Sequence, residues 1–199
     1  MKAEPQRSYR QTRRAQRQAE TRRRIIETVV ALHEEVGPAR TTIVAVAARA
    51  QVSRPTVYSH FPDERSLITA CASHWSAANA PPDLANWAQI ADPGKRLRVA
   101  LGELYAYYLP RERMLANVLR DAALMPSVAE AAHDTFGPYL EEAARLLASG
   151  WDGRKRDGRA LLAALGLALH FHTWQTLTRS GRLSNDDAVR LMATLVEAA

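Results

Sequence analysis

The sequence predicts an all-α protein: an N-terminal three-helix domain carrying a helix-turn-helix, followed by a larger helical domain. Three observations carry this reading. Apolar residues recur at helical spacing in segment after segment, as at Ile25, Ile26, Val29, His33 and Val36. Helix breakers fall mostly between those segments, at Gly37-Pro38, Pro81-Pro82, Pro110, Pro126 and Gly181. No segment shows the strict polar–apolar alternation of a half-buried strand.

Residues 1–19 form an Arg- and Gln-rich arm with Arg7, Arg10, Arg13, Arg14 and Arg17, disordered or loosely helical when free. Arg22, Arg23 and Arg24 open the first helix, and Gly37 with Pro38 ends it. Thr41 or Thr42 caps a second helix reaching about Ala50. After a break at Gln51-Val52, Ser53 caps a very short helix with Pro55 in its first turn. Phe61-Pro62-Asp63 closes that helix and caps a longer one through Leu67, Ile68, Cys71 and Trp75. Beyond Pro93 come stripes at Leu97–Tyr108, at Met114–Leu119 and at Val128–Leu147, the last with a kink expected at Gly137-Pro138. Arg159–Thr178 is apolar on nearly every side and is expected to be one buried helix. Ser184 and Asp187 form a capping pattern for a final helix. The domain boundaries drawn from this are 1–19 for the arm, 20–66 for the helix-turn-helix domain and 67–199 for the rest.

Charge is unevenly placed. Of the net +6 over 199 residues, residues 1–80 hold 13 Lys/Arg against 7 Asp/Glu, whereas residues 81–199 hold 14 of each. A one-sided basic excess is the footprint of a polyanion partner, with nucleic acid first and an anionic membrane surface its rival. Cys71 is the single cysteine, so no disulfide forms within the chain, which fits a cytoplasmic location. No secretory signal is visible at the basic N-terminus. The longest apolar run, Ala160–Leu169, is too short to cross a bilayer.

The segment Thr41–Leu67 suits a helix-turn-helix. Val46, Ala47, Ala50, Val52 and Val57 are small or branched enough for two helices to pack closely. Arg54, Thr56 and Ser59 then lie on the open side of the second helix, where it would enter a major groove. Tyr58 and His60 have polar tips that reach phosphates. Spacing alone fits a plain helical hairpin equally well.

The paired Thr41-Thr42, then Val46-Ala47, Val52-Ser53, Thr56-Val57-Tyr58, His60-Phe61-Pro62 and Leu67, resemble the DNA-binding domain of TetR-family regulators over about residues 20–75. The resemblance implies a transcriptional regulator, a repressor that binds an inverted-repeat operator as a homodimer and is released by a small effector. It implies DNA contacts from Thr42, Ser53, Arg54, Thr56, Tyr58, Ser59 and His60, with Arg54 reading guanine and Tyr58 and His60 holding phosphates. Two positions depart from the family pattern. Gln51 stands where Gly is usual, at a turn favouring positive φ. Glu64 stands where a basic residue usually meets a phosphate, leaving Arg65 as the substitute.

The resemblance also implies a C-terminal sensor whose last two helices, Arg159–Thr178 and Asp187–Ala198, pair with a second subunit. Ala163, Ala164, Gly166 and Ala168 would allow close approach, with Leu161, Leu162, Leu165 and Leu169 supplying burial. Trp75, Trp87, Tyr105, Tyr108, His133, Phe136, Phe171 and Trp174 are the candidate lining of a pocket for a small, largely apolar effector. No cofactor or metal is expected. His170 and His172, two apart on one helix, face different directions, and Cys71 reads as a buried structural thiol. No phosphate loop or nucleophile elbow appears, so an enzyme is not expected. Two other readings stay open: a helical enzyme or lipid-binding module with a membrane-directed tail, and a DNA-binding regulator without a small-molecule effector.

Overall fold

The structure, a computed structural model, describes residues 4–151 and 158–199, with side chains from residue 12 onward. Of the expected arm, residues 1–3 and the side chains of Arg7 and Arg10 lie outside the described residues. All regular structure among the described residues is helical. The chain divides into two compact units: residues 1–78 with 117–131, and residues 79–116 with 132–199.

The first unit opens with α1 (Glu4–Val36), a helix of 33 residues. It includes residues 4–19 of the stretch expected as an arm, so these and the first helix form one continuous element. Arg, Gln and Ala are strong helix formers, and Arg23 bonds both Glu20 (2.8 Å) and Glu27 (2.9 Å) along the helix. Gly37 ends α1 at φ 92°. A Cβ there would also meet the ends of the Arg120 and Asp121 side chains, which would have to shift, but it is the backbone conformation that favours glycine. The last carbonyls of α1 are not left open. The Asn117 amide donates to His33 (3.1 Å) and Glu34 (2.8 Å), and Arg120 donates to Val36 (3.3 Å).

Next come α2 (Ile43–Arg49), α3 (Arg54–His60) and α4 (Glu64–Ala78). Ile25, Ile26 and Val29 of α1 share one core with Val46, Ala47, Ala50, Val57, Phe61, Leu67 and Cys71. Ile25, Val29, Val46 and Val57 are fully buried, and each large side chain so placed contributes roughly 1.5–3 kcal/mol.

The second unit contains α5 (Leu84–Ala88), α6 (Pro93–Tyr108), α9 (Gly158–Leu169), α10 (Phe171–Gln175) and α11 (Asn185–Ala198). Two further helices are α7 (Glu112–Ala122) and α8 (Pro126–Ala148). Helix α8 continues through Pro138. Helix α6 packs along α11 and α9, burying Leu97, Ala100, Leu101, Leu104, Tyr105 and Tyr108. Ser184 caps α11 by accepting from the Asp187 amide at 3.1 Å, as its capping pattern predicts.

One expected helix is divided. The stretch 159–178 breaks at His170 into α9, α10 and a π-helical turn, Thr176–Ser180. Far-off residues cause the break. Tyr105 and Tyr108 on α6 donate their hydroxyls to the carbonyls of Ala168 (2.9 Å) and Leu169 (2.7 Å). These oxygens close α9, and the His170 ring then accepts from the His172 amide (3.3 Å) to start α10. Burial is one-sided too: Leu161, Leu165, Ala168 and Leu169 are covered, whereas Leu162 and Leu167 are 46% and 58% exposed. The break also corrects the histidines. His170 lies outside regular helix, and its ring centroid comes within 5.5 Å of that of His172. No third ligand joins them: among the described residues no cluster of three or more His, Cys, Asp or Glu is placed to hold a metal.

Candidate nucleic-acid interface

Helix α2 is braced at its start by Thr42, whose hydroxyl accepts from the Ala45 amide at 3.2 Å. At its end the Arg24 guanidinium donates to the Ala50 carbonyl at 2.9 Å, tying the turn to α1. The chain reverses through Gln51 at φ 53°. That is the left-handed backbone expected at this position, and a residue with a Cβ holds it at a cost of about 1 kcal/mol. The Val52 amide returns to the Ala47 carbonyl at 3.0 Å and closes the turn.

Ser53 starts α3. Its hydroxyl accepts from the Thr56 amide (3.2 Å) and shares a hydrogen bond with the Thr56 hydroxyl (2.8 Å). On the inner side Val57 is fully buried against the core of Val46, Ala47 and Ala50. Ser53, Arg54, Tyr58 and Ser59 are exposed on the outer side, while Thr56 and His60 are half-buried. The Ser59 hydroxyl is turned back onto the Thr56 carbonyl (2.8 Å), which occupies its proton. Arg54 and Tyr58 are therefore the long polar side chains that α3 offers outward. Asp63 caps α4 through the Ser66 amide (2.7 Å), and hydrogen bonds from Ser66 hold its carboxyl below the usual carboxylate range.

Residues 25–71 match the family model described as bacterial regulatory proteins, tetR family. The match spans both helices of the motif and the core beneath them. Residues 25–71 are thus similar to the helix-turn-helix domain of that family. An HTH-type transcriptional regulator of Mycobacterium bovis is 38% identical over 60 residues, which is 30% of this chain and 32% of that relative. The sequence likeness thus spans about a third of the curated relative's length. The fold likeness is wider. A TetR-like transcriptional regulator from Rhodococcus superposes at TM-score 0.61 with 20% identity, over 89% of this chain and 93% of that one. A Saccharomonospora viridis protein assigned as a transcriptional regulator, solved with choline, gives TM-score 0.63 at 22% identity, over 90% and 96%. The fold likeness to such regulators therefore extends over about nine tenths of the chain.

In this domain, Ser53, Arg54, Thr56, Tyr58, Ser59 and His60 come together on α3 and its cap, with Thr42 at the start of α2. Arg65 stands apart. It lies on α4 and is drawn to Glu130 at 2.8 Å, while Glu64 accepts from the Ser127 hydroxyl at 2.6 Å. Val44 is 58% exposed on α2, an apolar residue that carries no hydrogen-bond readout. Sequence reasoning missed Arg24 as the residue that fixes the turn. The Arg22-Arg23-Arg24 run was visible, but no spacing rule marks which of the three reaches a carbonyl 26 residues away.

The aromatic candidates do not form one set. Trp75 belongs to the first unit, the other seven to the second. His133 is exposed, its ring lying against Gly137 one turn on. Trp87, Tyr105, Tyr108 and Trp174 are fully buried. Trp87 donates to Glu103 (2.7 Å) and Trp174 to Asn185 (2.9 Å), and burial raises both Tyr105 and Tyr108 hydroxyls well above the usual tyrosine range. Tyr108 meets Phe136, Phe171 and Trp174 at centroid distances of 6.4, 5.5 and 5.8 Å. Two tyrosines not anticipated, Tyr107 and Tyr139, stack on Phe136 at 6.0 and 5.2 Å. Beside Tyr139 opens a groove of about 510 Å³ lined by Pro81, Pro82, Leu84 and Leu146 among others.

Proposed function

We propose that this chain is a transcriptional repressor that binds an inverted-repeat operator as a homodimer and is released by a small, largely apolar effector. One observation carries the DNA reading: α3 is seated on a buried platform and turns Arg54 and Tyr58 outward from it. An arginine so held can bond guanine O6 and N7 together, while Tyr58, His60 and the Thr42 helix start suit phosphates. Among the described residues no helix is long and apolar enough to cross a membrane.

Dimerisation is supported by an apolar face on the last helices. Leu162 and Leu167 of α9 and Leu191 and Leu195 of α11 are each at least 41% exposed. A second copy covering these leucines would bring two α3 helices to one duplex and double the readout. The aromatic cluster and the groove beside Tyr139 support an effector site in the second unit, and one fold relative holds choline. A regulator without a small-molecule effector is the second reading, favoured by the way the buried rings fill one another's space.

Selection of bound sequences from random duplexes tests the proposal. A recovered inverted repeat, bound in gel-shift against competitor DNA, is the expected result. Binding without sequence preference would refute it. Transcription from a template carrying the recovered site then distinguishes repression from activation.

A further inference from the structure

Helix α1 is longer than its domain needs. Its core residues begin at Ile25, and from Thr12 to Arg24 every residue but the half-buried Thr21 is exposed. This stretch of about three and a half turns therefore stands as a rod beyond the packed core, and α1 up to Arg24 is where the arginines concentrate.

Their placement around the rod is uneven. At 100° per residue, positions 7, 10, 13, 14, 17 and 24 fall within a sector of about 120°. Arg24, in that sector, bonds the Ala50 carbonyl at the turn of the helix-turn-helix, so the sector runs on from the side of α1 that faces α2. The arginines outside it have local partners. Arg22 stacks over the Phe61 ring at 4.8 Å, and Arg23 is held between Glu20 and Glu27. Inside it Arg14 and Arg17 are exposed, and among the described residues neither forms an ion pair. Among the described residues, the other exposed positions from Thr12 to Arg24, Glu20 apart, are Thr12, Ala15, Gln16, Gln18 and Ala19, which are neutral.

We propose that this arginine face of α1 is a second DNA-contacting surface, a rigid helical rail that lies on duplex phosphates beyond those reached by the helix-turn-helix. The proposal rests on the DNA-binding reading of the domain. It differs from a loose cationic tail in one respect: the contact depends on which face of the helix the charge occupies. A row of guanidiniums at helical spacing complements the closely spaced phosphates of a duplex, and a preformed helix does not lose chain entropy when it docks.

The test moves charge without changing its amount. A full-length variant carrying Arg14→Ala, Ala15→Arg, Arg17→Ala and Ala19→Arg keeps net charge and helix formers but carries two arginines to the neutral side. Binding to a mixed-sequence duplex is measured across salt concentrations, with circular dichroism to check helicity. The log–log salt slope should flatten by roughly two per protomer, with affinity at low salt falling about tenfold or more. A second variant, Ala15→Pro, keeps every arginine but breaks the rod, and should flatten the slope as well. A wild-type slope in both variants would overturn the proposal in favour of a loose tail. Loss of binding to phosphatidylserine vesicles with the DNA slope unchanged would overturn it in favour of a membrane. The sequence selection described above reports on the helix-turn-helix alone, so either reading can fail without the other.

Discussion

The Asn117 side chain donates to the Glu34 carbonyl at 2.8 Å and to the His33 carbonyl at 3.1 Å, capping α1 from a helix more than 80 residues away in sequence. One amide nitrogen thus serves two oxygens at the end of the helix, of which the His33 carbonyl also accepts from the Gly37 amide at 3.0 Å. Asn117→Ala leaves the Glu34 carbonyl without that donor, while the His33 carbonyl keeps the Gly37 amide, and should cost roughly 1–2 kcal/mol. Chemical denaturation monitored on the N-terminal unit would show it. Asn117→Asp should cost more, because a carboxylate then faces two carbonyls.

His33 makes the same region acid-sensitive. It is 6% exposed, and burial pushes its imidazole from 6.5 down to about 4, with Asp121 pulling weakly the other way. The unfolded chain therefore takes up the proton first as pH falls. Stability is whole above about pH 6.5, declines between there and pH 4, and levels off below, for a loss of about 3 kcal/mol. His33→Leu should flatten that interval. Equal pH dependence of wild type and variant in denaturant titrations would exclude His33 as the cause.

Arg54→Ala should weaken binding to the selected operator by about 1–3 kcal/mol and relax preference at one symmetric pair of positions. Loss in the same proportion on operator and random duplex, measured by fluorescence anisotropy, would reassign Arg54 to phosphate.

What was legible in the sequence were features that depend on near neighbours. Thr42, Ser53 and Asp63 cap helices that begin beside them, and Gln51 takes the positive φ its turn requires. The rod of α1 was less so, because it buries no apolar face and periodicity has nothing to report there. It rests instead on propensity and on the Glu20–Arg23–Glu27 pairs. The break at His170 was not legible at all, since the hydroxyls that close α9 come from 63 and 61 residues away. For the aromatics, composition named the residues but not that Trp75 belongs to a different unit from the rest.

The one-sided burial of α9 moves the expected seam. Ala168 is fully buried within its own chain, so Ala168→Glu should unfold the second unit rather than separate subunits. Leu167, 58% exposed, is the residue to test. Leu167→Glu should leave circular dichroism unchanged, shift sedimentation from dimer to monomer and reduce operator affinity in parallel. A folded Leu167→Glu protein that still sediments as a dimer would exclude this face.

Gln51→Gly should raise the stability of the N-terminal unit by about 0.5–1 kcal/mol, because glycine adopts φ 53° without its Cβ penalty. Thermal denaturation of the full chain gives the sign directly.

Cys71 sits in the core shared by α1, α2, α3 and α4, and burial lifts its thiol to about 12. At neutral pH almost no thiolate exists there to react. The sulfur is thus invisible to an alkylating reagent until the domain opens. Because the chain has a single cysteine, mass added by such a reagent counts opening events of this domain and of nothing else. The molecule carries its own clock for the breathing of its DNA-reading half, and ligands, operator DNA and the substitutions above can each be ranked by how far they slow it.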